Sequence, residues 1–146
     1  MSVAAPLAPD ETIMPSFSLA ALTVLDLAPP AQIDVAAACG YQQVGLRLLP
    51  AMQGGVAYPL MEDKACLKET LAQLDATGIT VADLEVVALR PETRIAAFSA
   101  FFETGARLGA RHILVAAYDP DLSRFTDRYA AFCEAAAPYG LSLIHI

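Results

Sequence analysis

The sequence is short of charge, has no long apolar run and lacks the short motifs of the common catalytic folds; each shortage removes a class of protein. Charged residues make up only 17% of the 146, and 16 acidic residues against 9 basic ones give a formal net charge of −7 and a pI near 4.6. A phosphate backbone is held by clustered Lys and Arg, so no nucleic-acid partner is expected. No stretch reaches the roughly 18 consecutive apolar residues of a spanning helix. Thr12 to Leu25 comes nearest and is broken by Pro15, Ser16, Ser18 and Thr23, so no membrane association is expected. Residues 1–10 carry Pro6, Pro9 and Asp10 where a secretory signal has a basic region and an apolar core. The expectation is a cytoplasmic protein with a flexible leader over residues 1–16. G-x-G-x-x-G, P-loop, G-x-S-x-G and H-E-x-x-H patterns are all absent. Cys39, Cys66 and Cys133 form no C-x-x-C pair and fall in helix-like stretches, where a free thiol is expected to pack as a small hydrophobe.

What the chain has in quantity is apolar surface, 56% of residues with a mean hydropathy of +0.48, against about 45–50% in ordinary soluble domains. That surface is punctuated. Four times a helix-like stretch runs into a glycine and the following residues turn strand-like: at Gly40, Gly78, Gly109 and Gly140. The spacings of 38, 31 and 31 residues each hold a strand, a loop and a crossover helix. Four such units and the start of a fifth strand fit in the chain, whereas a closed (β/α)8 barrel needs roughly 250 residues. The expected fold is α/β: parallel (β/α) units over residues 17–146, about the first four and a half of a TIM (β/α)8 barrel.

Strands are expected at Ser18 to Leu25, Gln42 to Leu48, Ile79 to Leu89, His112 to Ala117 and Leu141 to Ile146. Pro29-Pro30 opens the first helix at the position where a missing backbone donor does no harm. Asp63 caps the second, whose stripe is Leu67, Leu71 and Leu74. Pro91 and Glu92 open the third, with Ile95, Phe98 and Phe102 facing inward, and Asp119-Pro120-Asp121 starts the fourth, with Phe125, Tyr129 and Phe132 as its buried stripe. The connection Leu49 to Glu62 is the longest, and long βα loops commonly face substrate.

In βα-built folds the reacting groups stand at the C-terminal ends of the strands. The candidates there are Asp26, Arg47, Asp83, Glu85, Arg90, Tyr118, Asp119 and His145. Alternation puts Val81, Asp83, Glu85, Val87 and Leu89 on one face of the third strand. A carboxylate so directed needs a partner, and Arg47 on the neighbouring strand can supply it. Glu85 is then either half of a structural ion pair or a ligand for a substrate hydroxyl or a metal's shell. Arg47 pairs with Glu85 or takes a phosphate or carboxylate. Tyr118 and Asp119 are placed to contact substrate, although Asp119 can equally serve only to start the fourth helix. His112 opens its strand and reads as structural, and His145 has no companion at ligand spacing.

Residues 37–47, Ala-Ala-Cys-Gly-Tyr-Gln-Gln-Val-Gly-Leu-Arg, resemble the second-strand signature of the xylose isomerase-like TIM barrels. Residues 105–115 are similar to that superfamily's passage from helix three to strand four, and residues 137–141 to its approach to strand five. The resemblance implies a sugar phosphate isomerase or epimerase, an endonuclease IV-like repair protein being another branch. It implies a divalent metal (Mn, Mg, Co or Zn) in the full-length parent, held at the ends of strands five to eight, and a small sugar or sugar phosphate as partner. The position of a frequent strand-two glutamate is Gly45 here, and the chain stops before the expected strand-five glutamate. No metal ligand and no tight metal binding are therefore expected of this chain, which should be inactive alone. Arg47, Glu85, Tyr118 and Asp119 are its expected substrate-binding or substrate-orienting residues. Residues 141–146, Leu-Ser-Leu-Ile-His-Ile, also resemble translated sequencing-adapter read-through, so an artificial 3′ end is expected. The alternative reading is a non-catalytic half-barrel that self-associates through its unpaired edges.

Overall fold

Strands Ser18–Leu19 (β1), Gln43–Arg47 (β2), Thr80–Leu89 (β3), His112–Ala117 (β4) and Ser142–His145 (β5) form one sheet in sequence order, every neighbouring pair parallel. This computed structural model describes residues 15–146, so the expected leader lies almost wholly outside the described residues. Consecutive order matters for function. A doubly wound sheet reverses direction and binds at the reversal, whereas a singly wound one curls towards a barrel with a lumen on one face. Helices Pro29–Ala38 (α1), Lys64–Thr77 (α2), Ser99–Arg107 (α3) and Leu122–Ala136 (α4) fill the four connections.

The four punctuating glycines have φ of 80°, 73°, 69° and 72°, a left-handed conformation that costs residues with a Cβ roughly 1–2 kcal/mol. Each lets a helix stop and the chain reverse into the next strand. The helix stripes meet the sheet largely as expected. Leu67, Phe102, Phe125 and Phe132 are buried, with Leu71, Leu74, Ile95, Phe98 and Tyr129 packed partly against the same core. Val44, Leu46 and Leu48 are fully buried towards the helices, leaving Gly45 and Arg47 on the opposite, lumen face of β2.

Four local expectations are corrected. The first strand is two residues long instead of eight, because the Gln32 side-chain amide donates to the carbonyls of Leu19 and Gly45 (3.2 and 2.8 Å) and Glu85 accepts the N–H of Ala21. These side chains take the ladder positions, and the backbone tightens into a 3-10 turn at Ala21–Val24. The third helix begins only at Ser99. Thr93 Oγ1 accepts from Arg90 N–H and closes a turn over residues 90–93, and a 3-10 turn at Ile95–Phe98 follows. Third, β3 does not alternate strictly: its register slips against β2 beside Gly45 and again against β4 between Leu84 and Val87. Each slip adds a residue to β3, so Val81, Leu84, Val87 and Leu89 all reach the core. Fourth, Cys39 is exposed at the end of α1, while Cys66 and Cys133 are half-buried.

Candidate functional site

Two groups of polar side chains stand on the lumen side of the sheet. The inner group is built by register: Gly45 lies beside Asp83, and Arg47 beside Glu85. Arg47 Nη2 donates to Glu85 Oε2 at 3.0 Å, with the two side chains 11% and 7% exposed. Glu85 Oε1 accepts the Ala21 N–H at 2.8 Å, so one carboxylate joins the turn after β1 to β2 and β3. Both its oxygens are occupied by protein donors. Asp83 sits next to it with Oδ1 buried and lacking a hydrogen-bond partner, as Arg47 Nε does. Burial, and then the charge of Glu85, push the Asp83 carboxyl up to about 6. Gly45 makes this crowding possible: a Cβ there would meet Asp83 Oδ1 at 2.6 Å and Glu85 Oε1 at 2.7 Å.

The outer group stands where strands end and loops begin. Leu89 and Ala117 are register partners, and Tyr118 N–H donates to Leu89 C=O at 2.9 Å. Arg90 and Tyr118, one residue beyond that pair, are brought side by side, with the guanidinium carbon 4.7 Å from the ring centroid. Arg90 faces a cleft of about 620 Å³ whose walls come from the long loop (Leu49 to Gln53) and from Val86, Ala88 and Glu92.

The remaining candidates fall elsewhere. Asp119 accepts Arg124 Nε and Nη2 at 2.7 and 2.6 Å and the Asp121 N–H at 2.9 Å, and these bonds to Arg124 hold its carboxyl below the usual range. It organises the start of α4, which Asp121 caps by accepting from Arg124 N–H. Asp26 is exposed after the first turn. His112 contacts Ser142 Oγ through Nδ1 at 2.7 Å. His145 packs its ring against Phe125 and Tyr129 of α4 (5.4 and 6.2 Å between centroids), on the helix side of the sheet.

Sequence reasoning brings Arg47 and Glu85 together correctly, because plain alternation on two adjacent strands suffices. It misses Gln32, a buried amide that limits β1, and the partnership of Arg90 with Tyr118. Gly45, the one small residue amid Val44, Leu46 and Arg47, was the available sign that something lies across β2. Among the described residues no three His, Cys, Asp or Glu side chains are placed to hold a metal ion. Asp83 and Glu85 are the nearest approach, and Glu85 is already engaged. The residues present do not fit a metal centre by themselves.

Singly wound order, a helix-covered outer face and a polar inner face define part of a (β/α)8 barrel. Solved structures agree. The chain is similar to a xylose isomerase domain-containing protein from Salmonella typhimurium LT2 (TM-score 0.68, 10% identity, covering 88% of this chain and 47% of that one). It is similar to the probable 3-DHS dehydratase AsbF involved in petrobactin synthesis from Bacillus anthracis (0.68, 13%, 89% and 51%). It is also similar to the IolI protein solved with a zinc atom (0.61, 16%, 88% and 50%). At these identities the likeness establishes the fold alone, an α/β half-barrel of parallel strands. The chain spans about half the length of the solved structures it matches. No protein-family model and no curated protein matches it. No helix of the described residues is long and apolar enough to cross a membrane.

Proposed function

We propose that this chain is the N-terminal half of a cytoplasmic, metal-dependent sugar or sugar phosphate isomerase or epimerase, inactive until the other half of its barrel completes the site. The observation that carries the reading is the half-length match to xylose isomerase-like barrels, with the polar side chains of β2 and β3 on the lumen side. The zinc atom of the similar IolI structure supports expecting a divalent metal, Mn, Mg, Co or Zn, in the parent. Its ligands would come from the rest of the parent, since the described residues do not assemble a centre.

The roles available to this half are binding and orientation. Glu85 and Arg47 fix the lumen wall and the turn after β1 that borders it. Tyr118 offers an exposed ring at the strand ends, and Asp119 keeps the loop that carries it in place through Arg124. A small sugar is the partner, with no role for nucleic acid or membrane. The test uses the full-length parent: titration with the four metals by calorimetry, then assay against aldoses, ketoses and their phosphates. Metal binding with interconversion of a sugar pair is expected. A parent that neither binds a divalent metal nor turns over any sugar overturns the reading.

A self-associating half-barrel is the second reading. It is favoured by the position of β1 and β5 at the edges of the sheet of the described residues, where Phe17 is 61%, Ile144 41% and Ile146 62% exposed.

A further inference from the structure

Three arginines of the described residues are half-buried, and two are accounted for. Arg47 pairs with Glu85, and Arg128 donates to the backbone carbonyl of Thr93. The third is Arg90. Its backbone N–H meets Thr93 Oγ1. Its guanidinium has no carboxylate within 4.0 Å and no hydrogen-bond acceptor among the described residues, and none of its nitrogens is shut away from solvent. With its face engaged by the Tyr118 ring and its donors open to the cleft, this guanidinium is free to take an anion that arrives.

We infer that Arg90, stacked on Tyr118 at the paired ends of β3 and β4, is the oxyanion subsite of the cleft, taking the phosphate or carboxylate end of a small substrate. The stacking engages the face of the guanidinium, 4.7 Å from the ring centroid. Such a contact contributes about 0.5–1 kcal/mol at an exposed site. Its N–H donors lie in the plane, as a fork matched to two oxygens of one anion. The mount is rigid: Tyr118 N–H is bonded to Leu89 C=O, and Leu89 is paired with Ala117. The cleft, about 620 Å³, has the volume of a small-molecule site. Leu49, Pro50 and Met52 give it an apolar wall, and Glu92 is the one carboxylate in its lining, unpaired with Arg90.

Arg47 cannot play this part, because Glu85 neutralises it and Asp83 stands beside them. The chain's net charge of −7 repels anions in general, so binding has to be local and falls as salt rises. The inference rests on the proposed reading only in treating the strand ends as the ligand face; no metal or reaction enters it.

The test is an amide NMR titration with inorganic phosphate at constant ionic strength, on the full-length parent so that edge-strand association of the 146-residue chain does not enter. A sugar phosphate, the parent sugar and a small hydroxy acid follow. Saturable shifts at Ala88, Arg90 and Tyr118 are expected with the phosphates or the hydroxy acid and not with the neutral sugar. The anion giving the tighter curve identifies the oxyanion. Arg90→Gln is expected to weaken binding about tenfold or more, the loss of charge-assisted hydrogen bonds. Arg90→Lys, which keeps the charge and loses the fork, is expected to fall between; it also decides the matter if Arg90→Gln does not fold. Arg111→Gln, an exposed arginine preceding β4, is expected to bind as the original chain does. Shifts that fail to saturate, survive Arg90→Gln, are untouched by Arg90→Lys, or vanish equally in Arg111→Gln overturn the subsite. Phosphate binding here combined with an inactive full-length parent would leave the subsite standing and remove only the isomerase reading.

Discussion

Gly45 is where the absence of a side chain does most for this protein. Two carboxylates of β3 lie over it, and a methyl group there would have to displace both. Gly45→Ala is expected to cost about 1–3 kcal/mol, as overpacking does. Part of that should return in the Gly45→Ala, Asp83→Ala double variant, which removes one of the two clashes, measured by urea unfolding. Glu85→Ala strands Arg47 and leaves Ala21 N–H without its acceptor. A loss of about 3–5 kcal/mol is expected, since removing one partner of a buried pair leaves the other charge uncompensated. Replacing both Arg47 and Glu85 by leucine should cost less than that single change. Asp83 carries the pH dependence. Its folded-state pKa, about 6, lies above the ordinary value of 3.8, so the unfolded chain releases this proton first. The ionised form therefore weakens the fold progressively between about pH 4 and pH 6, after which the penalty is constant. Asp83→Asn should accordingly gain on the original chain by about 1–2 kcal/mol between pH 4 and pH 7, after allowance for solvent screening. A stability difference flat across that range would show that Asp83 titrates normally.

Helix α2 shows how much of the architecture is written locally. Asp63 Oδ1 accepts from Cys66 N–H at 2.9 Å at one end, and Gly78 stands at φ 73° with its N–H on Leu74 C=O at the other. Asp63→Ala is expected to cost about 1 kcal/mol. Gly78→Ala should cost about 1–2 kcal/mol, read from thermal or urea unfolding. Both signals are legible because capping depends on a few consecutive residues. The same holds for the other three punctuating glycines, while the pairing of Arg47 with Glu85 follows from alternation along two adjacent strands. The strand slips are different. They are settled by what crosses from elsewhere: Gln32 and Glu85 end β1 early, and the extra residues of β3 carry Val81, Leu84, Val87 and Leu89 all to the helix side. No count along β3 alone reveals this, and a period of two assigns Val87 and Leu89 to the wrong face. Arg90 was legible as a charge at a strand end. Its stack on Tyr118 was not, because it depends on the slipped register that sets Leu89 against Ala117.

Over the described residues the molecule is a five-stranded parallel sheet flanked by helices, with β1 and β5 at its edges. Its apolar excess is consistent with that shape, because surfaces such as the ring pocket formed by Phe125, Tyr129 and His145 remain partly uncovered. The chain alone is expected to associate, and sedimentation equilibrium separates the cases. A discrete dimer favours the self-completing half-barrel; concentration-dependent aggregation is what an incomplete barrel with exposed edge strands should give. The proposed function requires the parent gene to encode the rest of the barrel. The most direct measurement is to read that gene from genomic template through and past codon 141. A frame that continues into a glutamate-bearing fifth strand and roughly 130 further residues, the balance of a (β/α)8 barrel, is the predicted result. A stop codon directly after Ile146 would contradict it.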